Sequence, residues 1–169
     1  MASLLMGIFL SLVGLIIYKA LNPKAPANFP EELPFFEAIT LDGTPFNTDS
    51  LDTGNVLAVF YSPGCLFCEH EGKDLARYAA DFAESQLLFV TSAPVDSACA
   101  YTHRSGIEAI PHYRLLIDTA FKTPLLFGLR TIPTTLIYDE DQKLIKAFEG
   151  EVNAAKLLKT IREHEDAKK

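Results

Sequence analysis

Apolar and polar positions alternate along this chain in a way that predicts the order of its secondary-structure elements. Residues 35–40 and the segment from residue 44 flank an Asp-Gly turn, which is typical of a β-hairpin. Residues 56–61 and 86–91 are continuous apolar runs of the kind found in buried strands. Between these runs, apolar residues spaced three or four apart predict a helix over about 65–83.

The second half of the chain continues the alternation of strands and helices. Asp96 is a suitable N-cap for a helix that ends near Gly106. The later predicted elements are a strand at 113–117, a helical segment at about 120–129, a hairpin with strands at 135–138 and 144–148, and an amphipathic helix at about 153–163. This order predicts an α/β fold in which a mixed β-sheet is flanked by helices on both faces.

The first 21 residues form a separate segment. No charged side chain precedes Lys19, and residues 4–18 are almost entirely apolar. With Lys19 snorkelling and residues 20–21 added, the stretch is just long enough to cross a hydrocarbon core of about 30 Å, so residues 1–21 are predicted to form a transmembrane helix. A cleaved signal peptide is the alternative, because residues 25–27 form a small-x-small pattern. The lack of a basic region before the apolar run favours the anchor.

Composition and charge narrow the class of protein. Four prolines within residues 22–34 predict an extended linker, which leaves residues 35–169 as a single domain. The formal net charge is −7 and no basic run stands out, so nucleic acid is not an expected partner.

The candidate chemistry lies in the cysteines. Cys65 and Cys68 form a C-x-x-C motif at the predicted junction between a strand and a helix. The N-terminus of a helix stabilises a thiolate, which is the form that attacks disulfides. The third cysteine, Cys99, is predicted to be a partly buried free thiol. No second cysteine pair or His-x-x-x-His follows, so neither a metal site nor a cofactor is predicted.

These motifs, in this order, resemble the thioredoxin fold and specifically the TlpA/ResA-like family of membrane-anchored thiol–disulfide oxidoreductases. The resemblance covers about residues 35–163 and includes the N-terminal β-hairpin. It is carried by Thr40-Leu41-Asp42-Gly43, the strand before the C-x-x-C motif, Ile-Pro-Thr-Thr-Leu-Ile-Tyr-Asp at 132–139 and Phe-Glu-Gly-Glu at 148–151. Two features depart from it. Gly64 stands where the family often has a tryptophan, and the strand before the motif lacks the buried aspartate of thioredoxin.

The resemblance implies a docking site for substrate. In this family a cis-proline faces the disulfide, and the matching position here is Pro133. The extended segment at Ile132 would then offer its backbone to an incoming peptide, and Thr131, Ile132 and Gly64 are the predicted substrate-binding residues. An ordinary proline at the start of a strand is the less favoured interpretation.

The charges beside the motif bear on its reactivity. The family often has C-x-x-C-x-x-E, and here the glutamate is Glu71, which could take the proton of the resolving thiol. A solvated helix carboxylate is the equally weighted alternative. Glu69 and Glu71 oppose a thiolate, and no Lys or Arg lies between the motif and Lys73, so the motif is predicted to be reducing. A protonated His70 would act in the opposite direction.

The resulting hypothesis is an enzyme that reduces or exchanges protein disulfides at a membrane surface. Cys65 attacks the substrate disulfide and Cys68 resolves the mixed intermediate. The partners implied are a protein disulfide substrate and an upstream dithiol donor. The resemblance implies a single-pass protein of the inner (cytoplasmic) membrane with a periplasmic domain. Lys19 and Lys24 follow the span and weakly favour the opposite orientation.

Two other functions share this fold. A peroxiredoxin-like peroxidase is the first, because residues 62–65 faintly resemble its Thr/Ser-x-x-Cys loop. Against it, the upstream proline is replaced by Ala58, and Arg130 is offset from the position of the activating arginine. A copper-binding adaptor is the second, since two thiolates suit Cu(I), although neither His103 nor His112 is singled out as a further ligand.

Overall fold

The computed structural model describes residues 7, 11–13 and 28–168. Its strands are β1 (Glu37–Thr40), β2 (Pro45–Asn47), β3 (Asn55–Phe60), β4 (Ser85–Thr91), β5 (Tyr113–Ile117), β6 (Thr134–Tyr138) and β7 (Leu144–Glu149). Its α-helices are α1 (Leu66–Arg77), α2 (Val95–Ser105), α3 (Thr123–Leu126) and α4 (Ala154–Ala167). Short 3-10 turns lie at Thr48–Ser50, Ala79–Phe82 and Ile107–Ala109.

All seven strands belong to one mixed sheet, in the order β2-β1-β5-β4-β3-β6-β7. The central strands β3, β4 and β5 are parallel, with α1 and α2 as the crossovers that parallel neighbours require. β1 and β6 pair antiparallel to this centre, and β1–β2 and β6–β7 are hairpins. The predicted mixed sheet with an N-terminal hairpin is confirmed.

The core has two halves, one on each face of the sheet. Successive side chains of β3 point to opposite faces, so Leu57 and Val59 pack beneath α1, α2 and α4. Phe60 points to the other face, where it packs with Phe36 and Phe127. Both faces of β3 are therefore buried, which explains why its sequence is a continuous apolar run.

Two helices are shorter than the sequence predicts. α1 ends at Arg77 rather than near residue 83, and the 3-10 turn at Ala79–Phe82 continues the chain. The helical segment expected at about 120–129 is reduced to α3. Phe121 and Gly128 on either side adopt φ angles of 54° and 63°, which a right-handed helix cannot contain.

The expected cap of α2 is wrong. Helical geometry begins at the residue before Asp96, so Pro94 occupies the N-cap position and makes no side-chain cap hydrogen bond. Asp96 instead lies in the first turn, where its charge complements the helix dipole. The predicted end is confirmed, because Gly106 closes α2 in the left-handed conformation with φ 71°.

Residues 28–34, at the end of the predicted linker, lie against the domain. The N–H of Leu33 donates to the carbonyl oxygen of Gln142 at 2.8 Å, and the N–H of Leu144 donates to that of Glu31 at 2.8 Å. The side chain of Leu33 is buried in the half of the core that contains Phe36. This part of the chain is therefore fixed along the β6–β7 turn.

The predicted anchor at 1–21, except residues 7 and 11–13, lies outside the described residues, as do residues 22–27 of the predicted linker. Within the described residues, no helix combines the length and apolar character that a membrane span needs.

Candidate active site

The C-x-x-C motif lies where β3 passes into α1. Cys65 is the N-cap residue of α1, and its Sγ accepts a hydrogen bond from the N–H of Cys68 at 3.2 Å. The two sulfurs are at disulfide distance, with 5.2 Å between the Cα atoms. Cys65 is half-buried, whereas Cys68 is only 1% exposed. Cys65 is therefore the more accessible of the two cysteines, and Cys68 is placed to attack only its neighbour.

The surface around the accessible sulfur is apolar. Leu66 and Phe67, between the two cysteines, are 62% and 60% exposed. Gly64, which precedes Cys65, is also exposed. Exposed large apolar side chains next to a reactive group are typical of a contact surface for another molecule.

The Ile132–Pro133 peptide bond is cis, as in the resembled family. Thr134, the first residue of β6, pairs with Phe60, the last residue of β3. Residues 131–133 therefore lie at the end of the sheet where the chain leaves β3 and continues to Cys65. Pro133 is buried, whereas Ile132 is 42% exposed and Thr131 is exposed. The structure thus places the predicted docking segment at the same end of the sheet as the motif.

A cleft of about 430 Å³ borders this segment. It is formed where β3 and β4 end and where the chain passes from α3 into β6, and its walls include Ser62, Ala93, Phe121 and Ile132. Phe121 is 70% exposed. The cleft has room for side chains of an extended peptide.

Glu71 is buried, which excludes the alternative of a solvated helix carboxylate. It is 1% exposed, and its Oε1 accepts a hydrogen bond from the Thr135 hydroxyl at 2.5 Å. Its Oε2 accepts from the N–H of Val152 at 3.2 Å. Burial raises the pKa of Glu71 to about 7, although these two hydrogen bonds oppose the shift. A carboxyl group with this pKa can both accept and return a proton near neutral pH.

Helix α2 packs directly on the motif through Tyr101, which the sequence analysis missed. The Tyr101 hydroxyl donates to the carbonyl oxygen of Cys68 at 3.0 Å, and its ring stacks on Tyr61 with 4.1 Å between centroids. Gly72 permits this approach, because a Cβ there would lie 2.5 Å from the Tyr101 hydroxyl oxygen. A glycine inside a helical pattern was the available signal of a close contact.

The structure corrects the predicted charge balance at the motif. Oε1 of Glu69 is 2.7 Å from Nζ of Lys73, and its Oε2 is 3.1 Å from Nε of Arg104. The hydrogen bonds from Lys73 and then Arg104 lower the pKa of Glu69. Glu69 is therefore a paired carboxylate, and Arg104 adds a positive charge beside the motif that a count along the local sequence did not include.

The other candidate residues lie apart from this arrangement. His70 is exposed, with its Nδ1 3.9 Å from Oε2 of Glu151. Cys99 is a free, partly buried thiol, as predicted, and its Sγ is 3.6 Å from Nε2 of His103. No group of three or more His, Cys, Asp and Glu side chains in the described part of the chain is placed to hold a metal ion.

Comparison with known proteins agrees with this geometry. The family model of the thioredoxin-like domain matches residues 51–165. The peroxidoxin BcpB from Mycobacterium tuberculosis is 22% identical, with a TM-score of 0.67 over 79% of this chain and 96% of that chain. The dsbF of MTB is 22% identical, with a TM-score of 0.68 over 80% of this chain and 98% of that chain.

A secreted Mycobacterium tuberculosis disulfide oxidoreductase homologous to E. coli DsbE is 20% identical, with a TM-score of 0.66 over 75% of this chain and 94% of that chain. The sequence search found no curated relative. At these identities the structural likeness shows the fold, and the chemistry has to be argued from the residues of the site.

Proposed function

The chain belongs to the thioredoxin-like domain family, and we propose that it reduces or exchanges disulfide bonds in protein substrates. The observation that carries the proposal is the asymmetry of the two cysteines, which lie at disulfide distance in a thioredoxin-like fold. Cys65 is accessible at a helix N-terminus, whereas Cys68 is buried behind it. That division of roles is what a two-step exchange requires.

The reaction follows from these positions. In the reduced protein, the Cys65 thiolate attacks one sulfur of a substrate disulfide, forms a mixed disulfide and releases the other substrate sulfur as a thiolate. Cys68 then gives up its proton and attacks Cys65 Sγ, which releases the second substrate thiol and forms the Cys65–Cys68 disulfide. Two electrons pass to the substrate, and an upstream dithiol donor restores the reduced protein.

Glu71 is the proposed acceptor of the Cys68 proton. It lies one helical turn beyond Cys68 on α1, and its burial and raised pKa suit a group that cycles between its two protonation states. In the same proposal, Pro133 shapes the docking surface, and Thr131, Ile132 and Gly64 bind the substrate.

Catalysed reduction of insulin tests this function. With dithiothreitol as donor, the full chain should accelerate the precipitation of reduced insulin well above the rate with dithiothreitol alone. Hydrogen peroxide consumption should stay at the background rate of the donor. Rapid peroxide turnover together with slow insulin reduction would instead support the peroxidase alternative.

We also propose that residues 1–21 anchor the domain in the cytoplasmic membrane, with the catalytic domain on the periplasmic side. The support is the uncharged apolar sequence before Lys19, which is long enough to cross a bilayer.

Full-length protein expressed in a bacterium should therefore sediment with membranes and resist extraction by sodium carbonate at alkaline pH. Spheroplasts treated with protease should lose the domain, whereas intact cells should not. A soluble mature form that begins near Asn28 would show that the segment is a signal peptide.

A further inference from the structure

Helix α2 contacts the backbone on both sides of the accessible cysteine. The Arg104 Nη2 donates to the carbonyl oxygen of Pro63 at 2.7 Å, two residues before Cys65. The Tyr101 hydroxyl donates to the carbonyl oxygen of Cys68, three residues after it. Tyr101 and Arg104 are three residues apart and thus share one face of α2. The turn that carries the motif is therefore held from a second helix at two points.

Arg104 also binds the carboxylate of Glu69, the residue that follows the motif. Arg104 Nε donates to Oε2 of Glu69 at 3.1 Å, and Glu69 Oε1 is bound by Lys73. A guanidinium is planar and donates from several nitrogens at once, so one side chain can hold the Pro63 carbonyl and the Glu69 carboxylate together. Arg104 thus connects α2, the loop before Cys65 and the first turn of α1.

We infer that Arg104 is a positioning residue that sets the reactivity of Cys65 by holding the Pro63 carbonyl and by balancing the charge of Glu69. The inference rests on the proposed function in that it treats Cys65 as the attacking thiol. Besides the two cysteines, the charged and titratable groups on the elements around the motif are Glu69, His70, Glu71, Lys73, Asp74 and Arg77 on α1, Asp96, Cys99, Tyr101, His103 and Arg104 on α2, Tyr61 directly after β3, and Glu151 before α4.

The direction of the effect follows from the charges. The N–H of Glu69 donates to the carbonyl oxygen of Cys65 at 3.1 Å, so this carboxylate belongs to the first turn above the thiol. Without Arg104, the negative charge of Glu69 would be balanced by Lys73 alone. A less balanced negative charge disfavours the Cys65 thiolate, which slows its attack and makes the disulfide more resistant to reduction.

The test compares Arg104→Gln with Lys73→Gln, because Lys73 binds the same carboxylate but does not bind Pro63. The rate of Cys65 alkylation by iodoacetamide is measured against pH in a Cys68→Ser background, with the labelled peptide identified by mass spectrometry. Arg104→Gln should lower the rate at pH 7 about two- to fivefold and move the midpoint of the profile to higher pH, as expected for a partly exposed charge pair. Lys73→Gln should have a smaller effect.

The redox equilibrium gives a second readout. In chains that retain both cysteines, the Cys65–Cys68 equilibrium constant against glutathione should shift about two- to fivefold toward the disulfide in Arg104→Gln. Glu69→Gln should shift this equilibrium constant in the opposite direction. Arg104→Lys should shift it toward the disulfide less than Arg104→Gln does.

The outcomes separate the two proposals. A folded Arg104→Gln chain with an unchanged alkylation profile and an unchanged glutathione equilibrium would overturn the role of Arg104, whatever its activity on insulin. If the shifts occur but the wild-type chain fails to reduce insulin, the role of Arg104 stands and the proposed function fails. Near-ultraviolet circular dichroism establishes that each variant is folded.

Discussion

Replacement of Cys65 by serine should reduce the catalysed reduction of insulin by more than about 100-fold, to the rate of the dithiol donor alone. Cys65 is the accessible sulfur of the motif, and Cys68 is almost fully buried. A serine hydroxyl does not attack a disulfide, and no other thiol of the site can be reached by a protein substrate. The assay is insulin turbidity with equal concentrations of wild-type and variant chain.

Replacement of Cys68 by serine should have a different result. The first attack still occurs, but the mixed disulfide between Cys65 and substrate cannot be resolved. A covalent complex should accumulate that is visible on a non-reducing gel and disappears on reduction. Cys99→Ser is the matched control, because this thiol lies outside the motif and its loss should leave turnover within about twofold of wild type. Turnover by Cys65→Ser at the wild-type rate would refute the mechanism.

Sequence could predict the structural features that are determined by residues close together along the chain. The apolar run of β3 and the helical spacing after it place Cys65 at a helix N-terminus without knowledge of any neighbour. Gly106 ends α2 because glycine readily adopts a left-handed conformation. The short α3 was not predictable in this way, since Phe121 adopts a positive φ that its residue type disfavours.

The parts of the site that sequence missed depend on residues brought together by the fold. The charge of Glu69 could be counted from sequence, but its second partner Arg104 lies on another helix. The burial of Glu71 likewise depends on Thr135 and Val152, which reach it from β6 and from the segment before α4. Sequence therefore indicated the candidate groups of the site, but its account of their charges lacked the partners that the fold brings to them.

The buried position of Glu71 leads to a second prediction with a large effect, on the lifetime of the mixed disulfide. Glu71→Gln should lengthen the lifetime of the mixed disulfide about 100-fold, because the variant has no group to take the proton of Cys68. Rapid acid quench of the reaction between reduced chain and substrate, followed by mass spectrometry, measures this lifetime. The control is Glu163→Gln on the exposed face of α4, which should leave it unchanged. An unaltered lifetime in Glu71→Gln would remove Glu71 from the mechanism.

The same substitution should change how stability depends on pH. Burial raises the pKa of Glu71 from 4.5 to about 7, so between these values the folded chain holds a proton that the unfolded chain has released. The free energy of unfolding of the wild type should therefore fall as pH rises from about 4.5 to 7 and stay lower above it. A shift of this size corresponds to about 3 kcal/mol, which is the upper limit of the loss.

Glutamine carries no charge at any of these pH values, so Glu71→Gln should lose the part of the pH dependence that Glu71 causes. The amide can keep both contacts, because the Thr135 hydroxyl can turn to accept from the side-chain nitrogen while the Val152 N–H donates to the oxygen. Guanidinium denaturation of the oxidised proteins should give nearly equal stability for variant and wild type at pH 4, below the unfolded-state pKa of Glu71. At pH 8 the variant should be more stable by up to about 3 kcal/mol. Parallel curves for the two proteins from pH 4 to pH 8 would show that Glu71 keeps an ordinary pKa in the folded chain.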